Sequence, residues 1–140
     1  MSLLLMAADT LFAKKKWEQA ACLLEKMLEC YGRSKVSPEV HHRIVSLIYG
    51  RLTVPYNHLG LYEKVIEYAE KGVLLSIQQG SCAELYKFLA SKAYALARLG
   101  AKADASEYYR MAFFSSKVFL KEGYEGASRS YKSLTGMDIK

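Results

Sequence analysis

The sequence predicts an all-α protein built from repeated helix pairs. Three observations carry that reading. Hydrophobic residues make up 51% of 140 residues and there are only two prolines, Pro38 and Pro55. Long stretches therefore run without a breaker, and they are filled largely by Ala, Leu, Lys and Glu, all good helix formers. Val and Ile are sparse and do not alternate with polar residues, so there is no strand signal. Finally, the stretch from Gly60 to Gly72, GLYEKVIEYAEKG, returns in phase further along the chain. Gly60 and Gly100 each stop a helix, and the spacing of Val65, Ala69 and Gly72 recurs as Ala105, Tyr109 and Ala112. A recurrence of this length in a helix-only chain is the mark of a stacked helical repeat.

Taken in order, residues 3–14 read as a helix with Leu4, Ala7, Ala8 and Leu11 on its apolar face. Lys14-Lys15-Lys16 marks a turn. Trp17 opens a second helix, which packs through Ala20, Leu24, Met27 and Leu28, carries Glu18 and Glu25 on its outer side, and ends at Gly32. Ser37-Pro38-Glu39 is a helix start, with serine as N-cap, proline in the first turn and a carboxylate near the positive end of the helix dipole. The third helix runs to His58 and packs through Tyr49, Leu52 and Tyr56. Pro55 removes an internal hydrogen bond, which predicts a kink or local break. The fourth helix spans about 61–78 and stops at Gly80. The fifth starts at Ser81 or Cys82 and packs through Leu85, Leu89, Ala93 and Leu96 to Gly100. The sixth spans about 102–121, with Gly123 interrupting. A short last helix, about 124–134, ends at Gly136, and Met137 to Lys140 is expected to fray.

Composition narrows the function classes. The net charge is +6, but the lysines and arginines are spread along the chain, and the single run, Lys14–Lys16, falls at a turn. No apolar stretch approaches the roughly 20 residues of a membrane span. The start, MSLLLMAAD, lacks the basic segment of a signal peptide. The three cysteines, Cys22, Cys30 and Cys82, form an odd set without a CxxC pair, which predicts reduced, buried thiols in a cytoplasmic protein. His41 and His42 point about 100° apart on a helix and cannot share a metal easily. No phosphate-loop motif, nucleophile motif or paired carboxylate points to catalysis. The expectation is a non-enzyme with no metal and no cofactor.

The residues also carry a family resemblance. Leu89, Ala93 and Leu96 lead to Gly100 and then to Ala105, Tyr109 and Ala112. Tyr49, Leu52, Thr53 and Tyr56 lead to Gly60 and then to Val65, Ala69 and Gly72. Leu4, Ala7, Ala8 and Leu11 lead to Ala20, Leu24 and Met27. This resembles the tetratricopeptide repeat (TPR) pattern in a divergent, long-helix form. The departures are Lys15 in place of the turn glycine, Lys92 at an apolar position, and a repeat longer than usual. The resemblance implies a right-handed superhelix of three antiparallel pairs, about 3–31, 38–78 and 82–121, plus a C-terminal capping helix, in one domain covering residues 1–140.

YNHLGLYEKVIEYAEKGVLLS and ALARLGAKADASEYYRMAFFSSK further resemble the TPR half of bacterial helix-turn-helix transcriptional regulators of the peptide-pheromone-responsive type. That resemblance implies a fragment of a longer protein whose array binds a short peptide on its concave face and forms a homodimer. DNA would then be met only through a separate helix-turn-helix domain. A free-standing TPR adaptor is the alternative.

In such a superhelix the first helix of each pair lines the groove. The expected groove residues are Arg51, Asn57 and His58 in the second pair and Lys87, Ser91, Tyr94 and Arg98 in the third, with Asp9 and Phe12 as their equivalents in the first. An asparagine amide can both donate to and accept from a peptide backbone, and arginine can hold a carboxylate bidentately. Asn57 and His58 also sit where polar residues cap a helix end, so a capping role stands beside the binding role. In the aromatic-rich stretch, Tyr108-Tyr109 and Phe113-Phe114 cannot both face inward. One member of each doublet is expected at the surface.

Overall fold

The computed structural model describes residues 2–32, 37–79, 84–119 and 124–136. Within them the chain forms seven helices and no strand: α1 (Ser2–Ala13), α2 (Trp17–Gly32), α3 (Pro38–His58), α4 (Tyr62–Gln79), α5 (Leu85–Arg98), α6 (Lys102–Phe119) and α7 (Tyr124–Thr135). Each helix packs on the next, and α3 also touches α5. Ser37 caps α3 as expected, its hydroxyl accepting from the Val40 amide at 3.5 Å.

Three helix pairs, α1–α2, α3–α4 and α5–α6, are joined by the same turn. In the first, Lys15 N–H donates to Phe12 C=O at 3.0 Å and Lys16 N–H to Leu11 C=O at 2.9 Å. Gly60 and Leu61 repeat this onto Asn57 and Tyr56, and Gly100 and Ala101 onto Ala97 and Leu96. This nested pair of bonds is the Schellman closure, which needs a left-handed residue at its centre. Gly60 and Gly100 supply it at φ 74° and 89°, and Lys15 supplies it at φ 57°. Lysine thus takes the glycine's place in the turn and keeps its geometry. The next helix then starts identically, with Ala20, Val65 and Ala105 N–H donating to Lys16, Leu61 and Ala101 C=O.

The register set by these turns orders the core. Ala8, Thr53 and Ala93 are equivalent and all buried. So are Ala20, Val65 and Ala105, then Leu24, Ala69 and Tyr109, then Met27, Gly72 and Ala112. The small residues permit close helix approach: a Cβ added to Gly72 would run into the Phe88 ring of the next pair.

Polar contacts between pairs recur as well. Glu25 of α2 accepts from the Tyr56 and Tyr68 hydroxyls, the latter at 3.1 Å. Its equivalent one pair on, Glu70, holds Lys92 at 2.9 Å, and Lys92 also donates to the Tyr108 hydroxyl at 2.8 Å. Burial pulls the Lys92 pKa down, but its bonds to Glu70 and Tyr108 outweigh that and leave it raised. The charge is therefore kept, and a lysine at an apolar position is accommodated.

Several expectations need correction. Glu25 is not on the outer side of α2; it is half-buried between tyrosines of the next pair. Cys22 and Cys30 are free and exposed rather than buried, because they lie on the face of α2 turned from Ala21, Leu24 and Met27. Pro55 does not break α3, which continues to His58 with the proline ring buried in the core. On the expected face of α1, Ala8 is buried and Leu11 half-buried, but Leu4 and Ala7 are exposed, and Leu5 and Phe12 pack in their place. Of the doublets, Phe113-Phe114 puts Phe114 at the surface as expected, whereas in Tyr108-Tyr109 neither is exposed: Tyr109 is buried and Tyr108 is half-buried against Lys92. Gly80, Cys82, Gly123 and the terminal residues 137–140 lie outside the described residues, as do the expected fifth-helix starts at Ser81 or Cys82.

Candidate functional site

Four of the seven expected groove residues come together. Val54, Asn57 and His58, from the last turns of α3, face Tyr94 of α5 across a pocket of about 310 Å³. Tyr94 also belongs to an adjoining pocket of about 400 Å³, shared with Arg98 of α5, Tyr109 of α6 and Arg129, Ser130, Ser133 and Leu134 of α7. The two pockets meet at the exposed Tyr94 ring and form one trough over the first helices of successive pairs. Among the described residues no carboxylate lines either pocket.

The side chains at this trough are held by the turn architecture. His58 stacks face to face on Trp17 of the preceding pair, with centroids 3.9 Å apart and planes 1° apart. Arg98, the equivalent of His58 in the next pair, donates from Nε to the hydroxyl of Tyr62, the equivalent of Trp17, at 3.2 Å. The same inter-pair contact is thus made twice with different chemistry. The bond to Tyr62 raises the Arg98 pKa further, so its charge is fixed. Burial raises the Tyr109 pKa, with a smaller push from Tyr94, and a hydrogen bond with Ser130 partly opposes it. Asn57 Oδ1 is buried without a hydrogen-bond partner. Such an orphan acceptor costs about 1–3 kcal/mol, which a donor reaching the pocket would relieve.

The other three expected residues are elsewhere. Arg51 binds Asp9 of α1, Nε to Oδ1 at 3.2 Å. Lys87 pairs with Glu84, the residue just before its own helix, at 3.0 Å. Ser91 is half-buried on α5 and lines neither pocket. Phe12 packs in the core and against Trp17.

Besides Val54, Ala97 and Tyr109, the residues that the sequence reading missed are on α7. It ends at Gly136 with φ 73°, as the first helices of the pairs end at Gly60 and Gly100, and it packs on α6 as α3 packs on α2 and α5 on α4. The glycine stop was the available signal: α7 stands where a further first helix would, so its residues join the trough.

A larger cavity, about 630 Å³, lies at the opposite end of α3 between Pro38, His42 and Gln78. Its charged lining is mixed, Glu39 and Glu84 with Arg43. Among the described residues no cluster of His, Cys, Asp and Glu could hold a metal ion, and no helix is long and apolar enough to cross a membrane. Comparisons with known protein families, with curated proteins and with solved structures returned no match.

Proposed function

We propose that this chain is a TPR-like, non-catalytic domain that binds a short peptide and self-associates, as the sensing half of a bacterial transcriptional regulator. The observation that most supports peptide binding is the trough running from Asn57 and His58 past Tyr94 to Arg98 and Arg129, which no carboxylate lines among the described residues. It offers an amide to pair with a peptide backbone, an aromatic ring for an apolar side chain, and two arginines for a carboxylate. The regulator context rests on the sequence resemblance, and the protein sequence encoded before Met1 decides between it and a free-standing adaptor.

Calorimetric titration with short hydrophobic peptides ending in a free carboxylate tests the site. Arg98→Ala weakens binding about tenfold or more, since a hydrogen bond to a charged group is worth about 1.5–3 kcal/mol, and Asn57→Ala weakens it about two- to tenfold, since a neutral one is worth about 0.5–1.5 kcal/mol. Trp17, the only tryptophan, reports binding through its stacking partner His58, so its emission shifts as the peptide fills the pocket. Unchanged affinity in both variants removes the assignment.

A further inference from the structure

The pocket between α5, α6 and α7 gathers more positive charge than one carboxylate neutralises. Arg98 of α5 and Arg129, Ser130 and Ser133 of α7 line it together with Tyr109 of α6. None of the ion pairs among the described residues uses either arginine. The other expected groove cations differ, since Asp9 neutralises Arg51 and Glu84 neutralises Lys87. Arg98 is also held in place. Its Nε donates to the Tyr62 hydroxyl at 3.2 Å, and its guanidinium carbon lies 5.9 Å from the centre of the Tyr62 ring. Its terminal N–H groups remain for a ligand. Ser130 and Ser133 are three residues apart on α7 and so share one face of it. Ser130 also bonds with Tyr109.

We propose that this pocket is a phosphomonoester site, in which Arg98 and Arg129 hold the phosphoryl oxygens. The proposal rests on the reading of the trough as the binding site and names the anion at its α7 end, where a carboxylate is the weaker ligand. Charge and donor number select the phosphoryl group. A phosphomonoester carries a charge of about −1.5 to −2 near neutral pH and three terminal oxygens. A carboxylate carries a single charge and two oxygens. Two guanidinium forks, each able to bind two oxygens, therefore match a dianion, whereas one carboxylate leaves a positive charge unbalanced. The third phosphoryl oxygen meets the serine hydroxyls, which donate to it. The organic part of the ester leaves the pocket over the exposed Tyr94 ring toward Val54 and Asn57. There the ring supplies an apolar wall, and the unpartnered Asn57 Oδ1 accepts from a donor on the ligand. The net charge of +6 attracts a dianion to the chain.

Calorimetric titration of the whole chain with phenyl phosphate and with benzoate tests this. Near neutral pH, phenyl phosphate should bind at least about tenfold more tightly than benzoate. That margin should shrink several-fold near pH ~5, because the second phosphate ionisation lies at about 6 while a carboxylate stays ionised. Arg98→Ala and Arg129→Ala should each weaken phenyl phosphate binding about tenfold or more, and Arg129→Lys should restore only part of it, since lysine lacks the fork. Arg129 forms no ion pair among the described residues, so its removal leaves the fold intact. Arg43→Ala, at the opposite end of α3, should change nothing. Absent phenyl phosphate binding, or equal affinity for phenyl phosphate and benzoate, overturns the proposal. So does an equal loss in Arg43→Ala and Arg129→Ala, which marks unspecific attraction to a basic chain. Two peptides separate this proposal from the functional reading: a short hydrophobic peptide with a free C-terminal carboxylate, and the same peptide amidated with phosphoserine as its last residue. Tighter binding of the phosphoserine peptide supports both and makes a phosphopeptide the source of the phosphoryl group. Binding of phenyl phosphate but of neither peptide supports this proposal alone and makes the source a small phosphorylated molecule. Tighter binding of the carboxylate peptide leaves the functional reading standing and removes this one.

Discussion

Replacing Gly72 with alanine separates helix propensity from packing, and the two effects have opposite signs. Gly72 lies inside α4, where alanine is favoured over glycine by about 1 kcal/mol. Its missing Cβ, however, is where the Phe88 ring sits. Phe88 is 2% exposed, so its ring has no free space to move into. Overpacking of this kind costs about 1–3 kcal/mol. The net expectation for Gly72→Ala is destabilisation by about 1 kcal/mol.

Gly50 gives an internal control, because its added Cβ would sit 3.9 Å from the same ring, at ordinary contact distance. Gly50→Ala should therefore stabilise by up to about 1 kcal/mol. Urea denaturation followed by far-UV circular dichroism measures both. In a Phe88→Leu background the clash is relieved, and Gly72→Ala turns stabilising, with a coupling of about 1–3 kcal/mol. If Gly72→Ala stabilises the wild-type protein as much as Gly50→Ala does, the packing argument between the second and third pairs is wrong.

Two further outcomes follow from the turns and the tyrosines. Lys15→Gly should stabilise the protein by about 1 kcal/mol, because a left-handed conformation costs a residue with a Cβ about 1–2 kcal/mol and glycine's greater unfolded-state freedom takes some of that back; no change in the urea midpoint would count against the Schellman closure there. Burial raises the pKa of Tyr56 and of Tyr68, with Glu25 adding to both. An unfolded tyrosine ionises near 10, so above that pH the unfolded chain holds fewer protons than the folded one and stability falls as pH rises. The urea midpoint should drop progressively as pH rises above about 10, and Tyr56→Phe with Tyr68→Phe should flatten the drop; an equal drop in the double variant would show that these hydroxyls are not its source.

What was legible in the sequence was local. A glycine that can adopt positive φ ends a helix wherever it falls, so Gly60, Gly100 and Gly136 marked their turns directly. The buried phase of Val65, Ala69 and Gly72 and of Ala105, Tyr109 and Ala112 followed from helical spacing, although spacing did not show that Gly72 meets Phe88 of the next pair. Lys15 looked like a departure only because residue type was used as a proxy for φ. Asn57, His58, Tyr94 and Arg98 could be grouped from sequence because they lie on the same side of successive first helices, where they line adjoining pockets. Arg51 and Lys87 share that side, but their nearest opposite charges are Asp9 and Glu84, which spacing alone does not show.

The sequence by itself determined the helices, their turns and the residues that each pair buries, since those depend on neighbours within a few residues. Tertiary structure alone decided which pair faces which. It drew Glu25 inward to two tyrosines of the next pair and paired Lys92 with Glu70. It brought α7 to the trough and left Leu3 in water while burying Ile48 and Phe88. The physical reason is that burial between pairs depends on what occupies the adjacent place in the stack, and the same apolar residue is core or surface according to whether a helix is there.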